Sequence, residues 1–316
     1  MTSVHKNRKT VRPAEYNAST QLQLHLMLLP GTLSIIIFSI VPLLGLVIAF
    51  TDFKASMGWD GIFSAAWNNF TYFKRIFAAR DFWPMVRNTV GINLLGQMVS
   101  FPVAIIFALL LNEIRNTKRK SFVQTVTYLP HFLSWAVFGG LIKTLLTADN
   151  GAFNELLMAL NMIPASKEWL ADPSYFWAIC IVSGLIKDLG WSAIIYLAAI
   201  AGVDPTLYEV VEIDGGNRFH KMWYVTLPAI VPTIMVMVIF AVSGILNNNF
   251  TQVYVLQNSL NMKASNVIDT YIFQIGIQKF QFGIATAAGL VKSVFALILL
   301  VGSNACSKKL TGSGLF

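Results

Sequence analysis

Residues 26–50 read LMLLPGTLSIIIFSIVPLLGLVIAF and contain no charged side chain. A helix needs about 20 apolar residues to cross the hydrocarbon core of a bilayer, so this run predicts a membrane-spanning helix. A cleaved signal peptide is a poor interpretation, because its apolar region covers only about 7–15 residues before a small-residue cleavage site. Pro30 and Pro42 predict kinks, which neighbouring helices can accommodate.

Further apolar stretches of spanning length follow along the chain, which has 316 residues. They are continuous and do not alternate in polarity as the strands of a membrane β-barrel would. The sequence therefore predicts an all-α membrane protein with about six transmembrane helices. The predicted spans are residues 26–50, 88–111, 122–146, 174–201, 229–250 and 283–304, with tails at 1–25 and 305–316 and a loop at 202–228.

The composition supports a membrane protein and excludes other classes. Hydrophobic residues make up 55% of the chain and charged residues 12%, whereas soluble domains carry about 25% charged residues. Disorder requires low hydrophobicity, and two cysteines cannot form a disulfide scaffold. An ordinary soluble enzyme is therefore excluded.

The distribution of Lys and Arg predicts the orientation in the membrane. More of them fall on the side of the two tails and the even-numbered loops than on the opposite side, which places both termini in the cytoplasm. The net charge of +8 is then mainly a topology signal, and we expect no nucleic-acid partner. The cytoplasmic set is Lys6, Arg8, Lys9, Arg12, Arg115, Lys118, Arg119, Lys120, Arg218, Lys221, Lys308 and Lys309.

The loop at 202–228 carries helix signals that a plain connection would lack. Asp204 followed by Pro205 is typical of a helix start, and Gly215 is suited to ending that helix. A second short helix should follow, and its apolar face would consist of Phe219, Met222 and Trp223. From the residues alone, an interfacial amphipathic helix without a partner explains this elbow as well as a docking element does.

The elbow also carries a family resemblance. Residues 208–216 read YEVVEIDGG, and Leu227-Pro228 follow at the expected start of the fifth span. This pattern resembles the EAA loop of ABC importer permeases, in which a Glu-Ala-Ala run and an Asp-Gly turn precede a Leu-Pro exit. Val210 and Val211 replace the two alanines here.

The resemblance extends over most of the chain beyond the N-terminal tail. Several segments, in order, are similar to the LplB-like sugar and oligosaccharide branch of that family. They are 69–70, 81–83, 87–89, 128–135, 187–191, 195–199, 287–290 and Asn304.

The resemblance implies a type I ABC importer permease fold in the bacterial cytoplasmic (inner) membrane. It implies a second permease chain, usually different, so that the pair is a heterodimer. It also implies two ATP-binding subunits, which hold ATP and Mg, and an extracytoplasmic solute-binding protein. This chain itself would bind no cofactor or metal.

The resemblance further implies that the elbow docks in a cleft of the ATPase and passes on its rigid-body rotation. Glu209 would be the charged anchor, Leu207, Tyr208 and Val211 would pack, and Gly215 would form the turn. The full set of expected coupling residues is Leu207, Tyr208, Glu209, Val211, Asp214, Gly215, Leu227 and Pro228.

Polar residues within the predicted spans are candidates for the solute path. Lys187 and Asp188 lie in mid-span, and they either line the path or bridge to other helices; the sequence favours neither. Asn and Gln suit sugar hydroxyls, but they equally form hydrogen bonds between helices. The candidates are Asn93, Gln97, Lys187, Asp188, Trp191, Tyr196, Asn247, Asn248, Asn249 and Gln252.

Four cations, Arg87, Lys143, Lys187 and Lys292, stand against the single intramembrane anion Asp188. This excess suggests an acidic solute such as a uronate-containing oligosaccharide, and a neutral sugar with the cations directed to the interface is equally compatible. Arg87 and Lys143 lie near span ends, where such an arrangement is favoured.

Other classes of function fit less well. A free-standing secondary transporter or channel would show an internal repeat, and the elbow would have no purpose. An intramembrane enzyme would need a catalytic grouping, and neither a phosphate-binding loop nor zinc-ligand spacing occurs. The leading prediction is the permease subunit of an ATP-driven sugar or oligosaccharide importer.

Overall fold

The structure, a computed structural model, describes residues 18–311, and the basic residues of the predicted N-terminal tail lie outside that range. Helices make up most of the described part, where no strand is formed beyond one isolated bridge between Thr51 and Trp67. The α-helices of six or more residues are α1 (Ala18–Ile35), α2 (Thr71–Ala78), α3 (Phe82–Asn112), α4 (Thr117–Phe132), α5 (Trp135–Leu146), α6 (Ala152–Ala159), α7 (Pro173–Ala201), α8 (Pro205–Ile213), α9 (Arg218–Ser243), α10 (Phe250–Leu256), α11 (Ile268–Phe273) and α12 (Phe282–Thr311).

Five helical stretches in the described part are long and apolar enough to cross a membrane, and the bent pair α4–α5 makes six if it is one span. The first stretch continues α1 to Phe50 through a π-helical turn at Ile36–Ile40 and a 3₁₀ segment at Leu44–Phe50. Pro42, which cannot donate a backbone hydrogen bond, lies between these irregular turns.

Helix α7 forms the centre of the bundle and packs against α3 and α4. Small residues allow the close approach: Ala104 and Ala108 of α3 and Ala193 of α7 are buried in one apolar cluster with Tyr196 and Ile230. A second cluster at the other end of α7 contains Phe176, Cys180, Val253 and Leu256. Helix α12 packs along α9 and against the 3₁₀ segment Leu44–Phe50.

The structure corrects four boundaries drawn from the sequence. Helix α1 begins at Ala18, inside the predicted tail 1–25, and α12 continues to Thr311, inside the predicted tail 305–316. The predicted fifth span 229–250 ends early, because α9 stops at Ser243 and residues 247–249 are not helical. The predicted third span 122–146 is not one straight helix, since its two halves are bent by 99°.

The start of the fifth span differs as well. Leu227-Pro228 was expected to begin a new helix after the second elbow helix. Instead α9 runs from Arg218 to Ser243 and passes through a π-helical turn at Met222–Thr226. Pro228 has no N–H to donate, but the π-helical turn before it changes the backbone hydrogen-bond pattern, so the helix continues through Pro228. The elbow is therefore joined rigidly to a membrane-spanning helix.

Candidate functional site

Helix α8, the first arm of the elbow, starts as its sequence predicts. The Asp204 carboxylate accepts a hydrogen bond from the backbone N–H of Thr206 at 2.9 Å, and Pro205 occupies the first turn. The same hydrogen bond lowers the pKa of Asp204, because it favours the charged carboxylate. The anionic cap thus lies at the positive end of the helix dipole.

The turn of the elbow depends on two consecutive glycines. Gly215 has φ +75°, a left-handed conformation that a residue with Cβ adopts only with strain. The Gly216 N–H donates to the Val211 carbonyl at 2.8 Å, and a Cβ added to Gly216 would lie 2.4 Å from Val211 Cγ1. The Val211 side chain therefore fills the space beside Gly216, so the valine at 211 leaves no room for a Cβ at position 216.

Polar contacts tie α8 to α9. The Tyr208 hydroxyl lies 3.1 Å from the Thr226 hydroxyl, and the Lys221 ammonium donates to the Glu212 carboxylate. This contact lowers the pKa of Glu212, because the positive charge favours the ionised carboxylate. The two arms of the elbow are thus held together, and Tyr208 faces α9 rather than open space.

The outer face of the elbow is apolar and exposed. Leu207 and Glu209, which the resemblance assigns to coupling, are both exposed, as are Asp214 and Pro228, whereas Leu227 is half-buried. The same face also presents Val210 and Ile213, which lie outside the expected coupling set, and Ile213 is 84% exposed. Further exposed side chains follow on α9: Phe219, Trp223 and Tyr224.

A polar pocket of about 230 Å³ lies between α3, α7 and the chain segment that precedes α10. It brings together six of the ten residues proposed for the solute path, which lie far apart in sequence. These six are Asn93, Gln97, Asp188, Asn248, Asn249 and Gln252.

Two of these amides already serve the protein itself. Asn93 Nδ2 donates to the carbonyls of Thr89 and Ile245, the latter at 2.8 Å, and so joins α3 to the end of α9. Gln252 Nε2 donates to the Cys180 carbonyl at 2.7 Å and joins α10 to α7. Asn93 and Gln252 therefore form hydrogen bonds between helices, as the alternative to a solute contact predicts. Gln97 is exposed in the pocket wall.

Lys187 does not line this pocket. Its side chain is 4% exposed, and Nζ donates to the carbonyls of Pro130, His131 and Leu133 at 2.9, 2.6 and 2.6 Å. These carbonyls lie at the end of α4 and just beyond it, where the bend interrupts the helical hydrogen bonds; the Pro130 carbonyl also accepts from the Leu133 N–H at 3.2 Å. Lys187 therefore caps the bend of the third span.

Asp188 has a different partner atom from Lys187, since neighbouring positions on a helix are about 100° apart. Its Oδ1 lies 2.8 Å from His131 Nδ1, and the His131 ring stacks on Trp191 with centroids 4.3 Å apart. Trp191 is thus part of the same arrangement but outside the pocket, and His131 is a contributor that the sequence did not identify. Tyr196 lies in the apolar cluster with Ala193, and Asn247 is exposed beside the pocket.

The intramembrane cations do not converge on the pocket. Lys292 of α12 pairs with Asp269 of α11, both less than one fifth exposed, so a second anion lies within the bundle. Arg87 donates to Asn88 Oδ1 at 3.2 Å and lies over the Trp177 ring, and Lys143 is exposed. Asp269 lies between the predicted fifth and sixth spans, so the sequence gives no sign that its charge is within the bundle. The excess of cations that suggested an acidic solute is therefore smaller than the sequence indicated.

The described residues contain no group of His, Cys, Asp and Glu that could hold a metal ion. The two cysteines are separate in the structure: Cys180 is buried in α7 and Cys306 is exposed near the end of α12.

Known proteins resemble this chain over nearly its whole length. Protein LplB of Bacillus subtilis (strain 168) is 39% identical, and the match covers 93% of this chain and 91% of LplB. The polygalacturonan/rhamnogalacturonan transport system permease protein YteP of the same organism is 38% identical over 94% of this chain and 91% of YteP.

Solved structures give the same result for the fold. One chain in a crystal structure of a bacterial ABC transporter that imports the acidic polysaccharide alginate has 33% identity and a TM-score of 0.83. The match covers 93% of this chain and 97% of that one. A second structure, of bacterial alginate ABC transporter with an alginate pentasaccharide-bound periplasmic protein, matches equally well. The predicted all-α importer permease fold is confirmed.

One family model recognises residues 100–311, which contain the elbow, the bent pair α4–α5 and the spanning helices α7, α9 and α12; the first span and the first part of α3 precede this region. The full-length similarity to LplB extends this assignment to the N-terminal part of the chain that precedes the family model. The chain belongs to the family of binding-protein-dependent transport system inner membrane components.

Proposed function

We propose that this chain is the permease subunit of an ATP-driven importer for oligosaccharides that carry uronate groups. The observation that carries the proposal is its full-length similarity to YteP and to the alginate transporter, whose named solutes are acidic polysaccharides. Two relatives for acidic polymers support an acidic solute more directly than the charge excess does.

The proposed assembly contains a second permease chain, different from this one, two ATPase subunits and an extracytoplasmic solute-binding protein. ATP and Mg are held by the ATPases, and this chain holds no cofactor. Both termini and the elbow face the cytoplasm. The family description supports the inner-membrane location and a binding-protein partner, and the periplasmic protein in the alginate transporter complex supports the same partner. The distribution of Lys and Arg supports the orientation.

The elbow is the proposed coupling element. Its exposed apolar face, around Leu207, Val210 and Ile213, would pack in a cleft of the ATPase, with Glu209 at the edge. The second arm of the elbow is the first part of α9, and α8 is hydrogen-bonded to α9 through Tyr208, so a rotation of the ATPase would move α9 as a rigid body. Such a rotation would open and close the polar pocket beside the end of α9.

The pocket offers amide and hydroxyl groups suited to sugar hydroxyls. Asp188 is the charged residue among those that line it, and its carboxylate is engaged by His131. A single permease provides only part of the path, so the second chain would supply further contacts to the uronate carboxylates.

Uptake by the complete assembly in vesicles tests this function. The solutes are an oligogalacturonate and its methyl ester, which has the same backbone without the charges. We expect uptake to depend on ATP and to be greater for the free acid than for the ester. Proton-driven uptake by this chain without the other subunits would contradict the importer function. Equal uptake of the ester would refute the acidic solute but leave the importer intact.

The coupling role is tested with Glu209→Ala combined with Gly215→Pro. Proline cannot adopt the positive φ of Gly215, so the turn must rearrange. We expect the ATPases to be lost on purification while the chain still inserts. Glu155→Ala, at an exposed acid on α6, is the matched control. Retention of full ATP-driven uptake by the double variant would refute coupling through the elbow.

A further inference from the structure

The Asn248 side chain is unusual among the residues of the polar pocket. Both its Oδ1 and its Nδ2 are shielded from solvent, and neither has a hydrogen-bond partner in the described structure. Buried amides in folded proteins are almost always paired, so an unpaired one needs an explanation. Asn93 and Gln252 in the same wall are both bonded to backbone carbonyls, which makes Asn248 different from its neighbours.

The backbone of Asn248 is held by an ion pair. Its N–H donates to Asp269 Oδ2 at 3.1 Å, while the other carboxylate oxygen, Oδ1, accepts from the Lys292 ammonium. One carboxylate therefore connects α12 to the non-helical segment 247–249. Within this segment the Asn247 N–H donates to the Gly244 carbonyl at 2.7 Å and Asn249 caps α10, so the ion pair holds the residue between these two anchors.

We propose that Asp269 and Lys292 are positioning residues that present the Asn248 carboxamide to the transported oligosaccharide. This inference rests on the proposed function. A carboxamide offers two donors and an acceptor, so it can bond to a sugar hydroxyl and to a carboxylate oxygen. The solute then supplies the partners that the protein does not.

The ion pair suits this task better than a direct solute contact would. Lys292 neutralises Asp269 within the bundle, so the carboxylate does not repel an acidic solute. The pair is shielded from water, where a hydrogen bond from Asn248 is held more firmly than at the surface. To hold the Asn248 N–H, residue 269 must carry a hydrogen-bond acceptor, whereas an ion pair that only stabilises the bundle could have its two charges in either order.

A charge reversal makes that distinction. Asp269→Lys with Lys292→Asp keeps an ion pair but places an ammonium, which cannot accept a hydrogen bond, beside the Asn248 N–H. The complete assembly is reconstituted, and both the melting temperature and the oligogalacturonate concentration for half-maximal uptake are measured. Lys279→Met, at an exposed lysine before α12, is the control.

We expect Asn248→Ala to raise the half-maximal concentration about tenfold, the loss of one good hydrogen bond, with an unchanged melting temperature. The charge reversal should retain the melting temperature yet show the same rise. If the charge-reversed variant had both the melting temperature and the half-maximal concentration of the unmodified assembly, the pair would only stabilise the bundle. An unchanged half-maximal concentration in Asn248→Ala would refute the solute contact.

A second measurement does not depend on uptake. Asn248→Cys in a chain whose Cys306 is replaced should react with a small maleimide, and oligogalacturonate should slow that reaction in the assembly. Absence of protection would refute this inference. Absence of ATP-driven uptake by the unmodified assembly would instead refute the proposed function.

Discussion

Lys187→Met is expected to destabilise the bend of the third span and leave solute preference unchanged. The ammonium is buried and donates to three carbonyls at the end of α4, within 2.6–2.9 Å. Methionine fills a similar volume but donates nothing. The variant therefore removes the cap of the bend without opening a large cavity.

The size of the effect follows from these contacts. A hydrogen bond to a charged group contributes about 1.5–3 kcal/mol, so three of them give about 4.5–9 kcal/mol before costs. Burying the ammonium costs several kcal/mol, and this cost disappears with the charge. We expect a net loss of about 2–4 kcal/mol in the free energy of unfolding, or about 3–6 °C in melting temperature.

The assay is thermal unfolding of the purified chain, followed by uptake of the acid and its methyl ester by assemblies matched for content. Lys143→Met is the control, because Lys143 is an exposed lysine in the other half of the same span. Equal melting temperatures for the two variants would refute the capping role. Loss of preference for the acid in Lys187→Met alone would assign the ammonium to the solute path instead.

Three further outcomes are expected. Gly216→Ala should destabilise the turn of the elbow by about 1–3 kcal/mol and reduce the amount of ATPase that copurifies. Adding Val211→Ala should restore part of the copurification, because it removes the closer of the two clashes with the new Cβ. Since the pKa of Glu212 is lowered from 4.5, its stabilising contact with Lys221 is fully present above that pH and is lost as the pH falls through the lowered pKa. Hydrogen exchange in the elbow, corrected for its intrinsic dependence on pH, should therefore stay constant between about pH 5 and 8 and rise in stronger acid. Lys221→Met should show a smaller rise, because only the contribution of the Asp204 cap remains. Cys306 should react with an impermeant maleimide in inverted vesicles but not in right-side-out ones, and the opposite result would reverse the proposed orientation.

Local signals in the sequence predicted the elbow well. Asp204, Pro205 and Gly215 act through their own backbone conformation and through neighbours a few residues away, so their effect is visible in the sequence. The continuity of the second arm with α9 was not visible, because a Leu-Pro pair indicates a helix start. Only the π-helical turn at Met222–Thr226 allows the helix to pass through it.

The roles of the polar residues could not be read in the same way. Lys187 and Asp188 are adjacent, yet one caps carbonyls near residue 130 and the other faces a pocket. Asp269 compensates Lys292 from 23 positions away, on the far side of a helix break. Such partners are chosen by the packing of helices, which the order of residues does not reveal.

The sequence by itself determined that this chain is a bundle of membrane helices with a structured elbow, because apolar length and turn residues act locally. The tertiary structure decided which buried polar groups are paired and which one, Asn248, is left without a partner in the pocket. The reason is physical: in an apolar bundle each polar group must find its partner across helix contacts, and those contacts exist only after the helices have packed.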